Sequence, residues 1–380
     1  MKKILIANAV PTNNGDAALV FGLSKKLIDM GYEVIFSTLK CKTMKKLYPD
    51  MTWVKSEYDF NRIEHKLCSI FPKLKENLLK WKIVNNKFYK DVDIVISAPG
   101  GYINSYYGIY DRLYCMDLIK KIHNVKLVMY SQSVGPLSVI DEKILDNFMN
   151  DFDLFMVRDE DSYEKVKQYN NVIRTNDAAF LLDKIECNNE QSNIVAISVR
   201  DWGHDGRSKE NYMDLIKNIV YKCVDNGNKV EFVSTCQGSD NYIDDSIIAK
   251  EIQGNLQEKY KSHVEVNCNH YLLNDLREYI GKFKFVIGTR LHMCILAIMS
   301  GVPAFNISYE VKGKECYKIL GLSEYSIDYN GDINKSLDSL QEFIDDNKGL
   351  KEIYDQKAKE MNKAANGYFE NMINKIIKGL

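Results

Sequence analysis

The sequence predicts an α/β protein built as two successive domains. Three observations carry that prediction. The chain has 380 residues, whereas a single hydrophobic core stops growing at roughly 250–300 residues. Apolar runs of strand length alternate with stretches of helical spacing through both halves. A polar stretch without periodicity, from about Asp183 to Asn193, separates two such series of similar size and reads as the interdomain linker.

In the first series, Lys3 to Ala9 is an apolar run that reads as a strand. Asp16 is placed to cap a helix whose apolar positions Leu19, Val20, Leu23, Leu27 and Ile28 fall at helical spacing. Gly31 stops that helix, and Glu33 to Thr38 begins the next strand. Such a βαβ unit implies a parallel sheet. Further strands are expected at Asp93 to Ser97, Lys126 to Ser131 and Leu154 to Val157. The basic, aromatic stretch from Asn61 to Tyr89 reads as one or two surface helices.

The second series opens with a strand from Ile194 to Val199, a helix from Tyr212 to Asn226 and a strand from Lys229 to Thr235. A helix near Asp244 to Gln253 follows, then strands at Val264 to Val266 and Phe283 to Gly288. A helix from Arg290 to Ser300 and a strand from Ala304 to Ile307 come next. From about Asn334 the chain reads as helices, which in such folds often cross back to the first domain. The expected division is therefore residues 1–185 and 194–333 as two Rossmann-like domains facing a cleft, with residues 334–380 as C-terminal helices.

Composition narrows the function. The charge is balanced, 51 Lys and Arg against 52 Asp and Glu, which argues against nucleic acid as the main ligand. No apolar run approaches the roughly 20 residues of a membrane span. The run from Ile4 to Val10 ends at Pro11 and reads as a strand rather than a secretory signal. Nine cysteines without a CxxC pair or a Cys/His cluster fit a reducing cytoplasm and point to no metal centre.

The helix starts carry the chemistry. At Gly288-Thr289-Arg290-Leu291-His292, Thr289 is the expected N-cap, and Arg290 and His292 fall in the first turn. A cation there costs roughly 0.3–1 kcal/mol, so an anion that meets both the guanidinium and the free N–H groups makes sense of it. The other reading sends Arg290 to solvent and packs His292 on the sheet. Asn13-Asn14-Gly15-Asp16 is either a site of close backbone approach or an ordinary tight turn. Ala98-Pro99-Gly100-Gly101 after a strand either cradles an anion through N–H groups or simply turns the chain. Arg200, in Ser198-Val199-Arg200-Asp201-Trp202, either looks into the ligand crevice or pairs with Asp201. Tyr309, Glu310 and Lys312 follow a strand on the same side, or form a solvated loop.

Taken in order, these segments resemble the polysaccharide pyruvyl transferase family. The matching pieces are Asn14-Gly15-Asp16-Ala17-Ala18-Leu19, Gly100-Gly101, Tyr130-Ser131-Gln132-Ser133-Val134-Gly135-Pro136, and Arg158-Asp159 with Ser162. Asp177-Ala178-Ala179-Phe180, Val199-Arg200, Gly288-Thr289-Arg290-Leu291-His292, and Gly301-Val302-Pro303 through Tyr309-Glu310 and Lys312 complete the series. The resemblance implies a fold similar to the GT-B glycosyltransferases and a bacterial cell-wall or exopolysaccharide role. It implies phosphoenolpyruvate as donor substrate, with no separate cofactor, and a sugar or lipid-linked saccharide as acceptor, joined to pyruvate as a ketal. The donor is then expected in the second domain and the acceptor in the first.

Under that reading Arg290 and Arg200 hold the donor's charges, aided by the N–H groups near Leu291 and by Gly100 and Gly101. His292 is the candidate general acid. A helix start favours its neutral form, and a bound anionic donor favours the charged one. Asp16 or Glu310 accepts a proton from a sugar hydroxyl. The alternatives are a nucleotide-sugar glycosyltransferase on the same fold, with Arg290 on a diphosphate, and a non-catalytic sugar- or phosphate-binding protein. A lipid-linked acceptor would bring the chain to the inner face of the membrane. There Lys73, Lys75, Lys80, Lys82, Lys87 and Lys90, with Trp81 and Phe88, form either a contact surface or a solvated helix face.

Overall fold

A computed structural model describes residues 2–185, 192–201, 208–238 and 243–378. The chain divides by contacts into two compact units. One comprises Met1–Pro11, Leu19–Leu181 and Ala365–Leu380, and the other Thr12–Ala18 and Leu182–Ala364. The middle of the expected linker and Trp202 lie outside the described residues.

The first series runs β1 (Lys3–Ala7), α1 (Asn14–Asp29), β2 (Glu33–Thr38), α2 (Cys41–Leu47), β3 (Thr52–Lys55), α3 (Arg62–Ile70) and α4 (Pro72–Asn85). It continues with β4 (Ile94–Ser97), β5 (Gly100–Ile103), α5 (Tyr110–His123), β6 (Lys126–Val134), α6 (Val139–Met149), β7 (Leu154–Val157), α7 (Glu160–Val166) and β8 (Val172–Arg174). All pairings in this sheet are parallel, in the order β3-β2-β1-β4-β6-β7-β8, with β5 on β6. Parallel strands covered on both faces read as continuous apolar runs, and β4 and β7 are buried throughout.

The second series runs β9 (Ile194–Ser198), α8 (Lys209–Asp225), β10 (Lys229–Phe232), α9 (Asp245–Gly254), α10 (Glu258–Lys261), β11 (Val264–Val266) and α11 (Leu273–Ile280). Then come β12 (Val286–Gly288), α12 (Leu291–Met299), β13 (Ala304–Ser308), α13 (Val311–Leu320), β14 (Ser326–Asp328), α14 (Ile333–Asp345) and α15 (Asn347–Ile373). Its six strands are parallel in the order β11-β10-β9-β12-β13-β14. In each sheet the strand order reverses once, between β1 and β4 in the first and between β9 and β12 in the second. Ligands of open α/β sheets bind beyond the strand C-termini at such a reversal.

Three local expectations change. Asp16 is not the cap of α1, which begins two residues earlier. The Asn13 side chain accepts the Asp16 N–H at 2.9 Å and donates to the Asp16 carboxylate at 2.6 Å, so Asn13 caps the helix and Asp16 holds the cap in place. Thr289 is not the cap of α12. Its hydroxyl is 2.7 Å from the Tyr212 hydroxyl, and Arg290 occupies the cap position. Gly100 and Gly101 do not form a turn. They belong to β5, where Gly100 pairs with Gln132.

Strand β6 outruns its expected end at Ser131 because it carries an irregularity there. The register against β7 shifts between Met129 and Gln132, and Ser131 is left-handed, φ 51°. Its hydroxyl donates to Asn176 O at 2.9 Å and accepts the Ala178 N–H at 3.0 Å. Ser133 donates to Asp159 at 2.5 Å and accepts from Arg158 at 2.8 Å, and Arg158 pairs with Asp177 at 2.8 Å. The motif residues of the first unit thus form a buried polar lattice that secures the ends of β6 and β7.

Burial alone would raise the Asp159 carboxyl, but hydrogen bonds from Ser133 and Ser162 and the Arg158 charge hold it below its ordinary value. A carboxyl depressed in the folded state contributes stability above its unfolded pKa, near about 3.9, and loses it as pH falls. Asp159→Asn is expected to be less stable than wild type at neutral pH and to lose less on acidification, as read by urea unfolding across pH.

Gly22 lies on α1 where an added Cβ would sit 2.6 Å from the Ala178 carbonyl oxygen. Alanine gains up to about 1 kcal/mol of helix propensity over glycine, but a clash with backbone in a packed core costs roughly 1–3 kcal/mol. Gly22→Ala should therefore lower the melting temperature despite its better propensity.

Candidate functional site

The second unit's reversal point selects two arginines, Arg200 and Arg290. Val199 and Arg200 follow β9, and Thr289 and Arg290 follow β12. Thr289 N–H donates to Ser198 O at 2.8 Å, which extends the β9–β12 pairing by one residue and brings both exits side by side.

Arg290 does not point to solvent. Its Nε and Nη2 donate to the two Asp245 oxygens at 2.9 and 2.6 Å, and the Asp245 side chain is 1% exposed. Asp245 also accepts from the Ser234 hydroxyl at 2.5 Å. Ser234 in turn accepts from Ser198 at 3.2 Å. Burial pushes the Asp245 carboxyl up, and the Arg290 charge opposes that shift. The anion expected beside Arg290 is thus in part the protein's own. The bidentate edge of the guanidinium faces Asp245, so a donor contact would fall on its remaining donors.

Arg200 does not pair with Asp201, whose partner is Lys209 at 3.9 Å. Its guanidinium lies over the Tyr309 ring, 4.6 Å from the centroid, and donates to the Tyr309 hydroxyl. Its backbone N–H donates to the Tyr212 hydroxyl at 3.1 Å. Tyr212 stacks on Tyr329, ring centroids 4.5 Å apart, and bonds Thr289, so one buried tyrosine ties the two exits together. Burial pushes the Tyr309 phenol up to about 12, with Arg200 opposing. Glu310 caps α13 by position without a side-chain cap bond, and Lys312 lies 3.9 Å from its carboxylate.

His292 is the second residue of α12. The first turn of α1 packs against it, since a Cβ on Gly15 would come within 3.0 Å of His292 Nδ1. Only glycine permits that approach without a shift of the ring. Asn14 N–H donates to Thr235 O and the Asn14 amide to Tyr271 O, both at 2.9 Å. These bonds hold the first turn of α1 within the second unit. Two helix N-termini, each with positive partial charge, therefore meet at His292. Cys236, buried in the same unit, has its thiol pushed up to about 12 by burial, so it is a neutral packing group rather than a nucleophile.

The structure brings Asn14, Gly15, Asp16, Arg200, Arg290, Leu291, His292, Tyr309, Glu310 and Lys312 into one unit, at the exits of β9, β12 and β13 and the start of α1. Gly100 and Gly101 lie in the other unit, on β5.

A family model for polysaccharide pyruvyl transferase matches residues 13–311. The chain belongs to this family. The amylovoran biosynthesis protein AmsJ of Erwinia amylovora is 25% identical over 375 residues, which cover 86% of this chain and 88% of AmsJ. Among solved structures, Anabaena HepE in complex with UDP-glucose is similar over 100% of both chains, with TM-score 0.66 and 11% identity. A glycosyltransferase from Rickettsia africae is similar over 100% of this chain and 99% of its own, with TM-score 0.61 and 11% identity. These likenesses show the fold, two parallel α/β domains of the GT-B type. Among the described residues, no helix is long and apolar enough to cross a membrane.

Sequence reasoning about this pyruvyl transferase family member missed Asp245, Ser234 and Tyr212. Asp244-Asp245 held a signal for the first. One aspartate suffices as a cap, and Asp244 takes that role by accepting the Ser246 N–H at 2.9 Å. The second had no local task. Nothing local marked Ser234 or Tyr212.

Removing one partner of a buried pair leaves an uncompensated charge and costs roughly 3–5 kcal/mol. Asp245→Ala should lower the unfolding free energy by about that much in urea. The double variant Asp245→Ala with Arg290→Met should recover part of it, giving a favourable coupling in the double-mutant cycle.

Proposed function

We propose that the chain transfers pyruvate from phosphoenolpyruvate to a sugar of an exopolysaccharide or cell-wall precursor, as a ketal, in the cytoplasm. The observation that carries this reading is the meeting of Arg200, Arg290 and His292 with the N-termini of α1 and α12 at the second unit's reversal point. Such a place suits a small, highly charged anion. The donor belongs with residues 194–333 and the start of α1, and the acceptor side with residues 1–185. The acceptor is a sugar or lipid-linked saccharide. No metal or nucleic acid takes part.

Arg200, with Tyr309 fixing its plane, orients the donor's carboxylate or phosphate. The outer edge of Arg290 and the N–H groups at Leu291 hold the other charge. His292 protonates the methylene carbon of the enol, which leaves the central carbon electrophilic. One sugar hydroxyl adds there and yields its proton to Asp16 or Glu310. Phosphate departs, a second hydroxyl adds to the same carbon, and its proton is released. Phosphoenolpyruvate and a diol thus become a ketal and inorganic phosphate. Holding both reactants in place supplies much of the rate.

The nucleotide-sugar reading draws on the fold, since the Anabaena relative is complexed with UDP-glucose. A thermal-shift titration separates the two. A ligand at 100 times its dissociation constant stabilises by about 2.7 kcal/mol. Phosphoenolpyruvate, and neither UDP nor GDP, should give a saturable shift that Arg200→Gln weakens. A shift with nucleotide alone would replace this reading. Arg290→Ala is a poor probe, because it strands Asp245.

His292→Gln should reduce the shift without abolishing it and lose turnover by roughly 10²–10⁴-fold, the usual worth of a general acid. Donor binding to wild type should also take up a proton that His292→Gln does not, measured by calorimetry in buffers of different ionisation enthalpy.

A further inference from the structure

Helix α3 buries one of its nine residues, Cys68. Its apolar residues Ile63, Leu67 and Ile70, spaced i, i+4, i+7, are 72%, 43% and 57% exposed. The stripe continues through Phe71, 57% exposed, onto α4 with Leu74, Trp81 and Val84, also exposed. The opposite side of α4 buries Leu79 and Ile83, so this hairpin has a core-facing side and a separate apolar outer one. Phe88 belongs to the inner side. It packs against the first unit's core rather than joining the surface.

The same segment concentrates positive charge. Residues 61–90 hold eight Lys and Arg against two Glu, in a chain whose net charge is −1. Lys82 pairs with Glu64 and Lys75 with Asp111. Among the described residues, Arg62, Lys66, Lys73, Lys80, Lys87 and Lys90 form no ion pair, and all six are exposed. Seven exposed large apolar side chains on one hairpin exceed the scattered singles a surface normally carries.

We infer that the α3–α4 hairpin docks on an anionic lipid surface. The inference deepens the lipid-linked form of the acceptor proposed above, and its test does not depend on the donor chemistry. Two features choose lipid over protein. Lysine is depleted at the centre of protein interfaces, whereas here it brackets the stripe. Lysine stems can lie along an apolar layer while their ammonium groups reach headgroup phosphates. Trp81 and Phe71 suit the boundary between headgroups and acyl chains. A basic juxtamembrane segment gains from an anionic surface potential and loses that gain in salt.

The full chain should co-sediment with phosphatidylglycerol/phosphatidylcholine vesicles at low salt, and poorly with phosphatidylcholine alone or at high salt. Leu67→Ser with Trp81→Ser, both at exposed positions, should weaken binding by about tenfold or more per side chain while leaving the melting temperature and the phosphoenolpyruvate shift unchanged. Failure to pellet with anionic vesicles, or pelleting that the double variant leaves intact, overturns the inference. So does a concentration-dependent dimer that the double variant disperses, since the stripe would then be an interface between copies. Loss of the phosphoenolpyruvate shift in wild type would instead strike the donor reading and leave vesicle binding to be judged alone.

Discussion

The second unit is organised around a buried carboxylate. Asp245 carries a charge where almost no water reaches it, and such a charge persists only if it is paired and hydrogen-bonded. Arg290 supplies the pairing through two parallel bonds, and Ser234 supplies a third. The partners come from two strand exits: Ser234 and Asp245 from the connection between β10 and the start of α9, and Arg290 from between β12 and α12. The pair therefore ties together the two connections, β10 to α9 and β12 to α12. It also resolves an electrostatic conflict at the start of α12. A guanidinium at a helix N-terminus is unfavourable alone, and the Asp245 carboxylate offsets it.

That arrangement shapes what a ligand can meet. A guanidinium with one edge bound to Asp245 is rigid and presents its remaining donors in a fixed direction. Arg200 is fixed by another device, the face and hydroxyl of Tyr309. One arginine is held by charge and the other by a ring, and Tyr212 links the exits that carry them. A geometry held by neighbours before binding costs less to order at binding. Fold likeness to sugar-nucleotide enzymes does not supply these residues, and function follows the site rather than the fold.

Much of the fold was legible because its signals are local. The strands at Glu33–Thr38, Leu154–Val157 and Val264–Val266 have the expected limits, since apolar runs and flanking glycine or polar residues mark them in sequence. The stretch from Asn61 to Tyr89, expected as one or two surface helices, forms two, the first opened by a reciprocal cap of Asn61 and Glu64. The misreadings arose where two residues compete for one local role. Asn13 and Asp16 both suit a cap, and the hydrogen bonds give the role to Asn13. Thr289 also suits one, but a hydroxyl 77 positions away in sequence claims its side chain. Asp245, 45 positions from Arg290, was invisible for the same reason. Helical spacing reports a residue's neighbours on its own element and is silent about partners across the sheet.

Charge at the site explains why a proton must enter the proposed reaction. Arg290 is paired with Asp245, and Lys312 lies 3.9 Å from Glu310, so these two cations already face carboxylates before any ligand arrives. A donor carrying a phosphate and a carboxylate then adds a net negative charge to a partly dry site. Helix N-termini contribute only about half a charge each. In the proposed reaction the remainder comes from a proton on His292, the group that delivers one to carbon. Binding and acid catalysis then draw on one event, because the charge that stabilises the complex is the proton the enol receives.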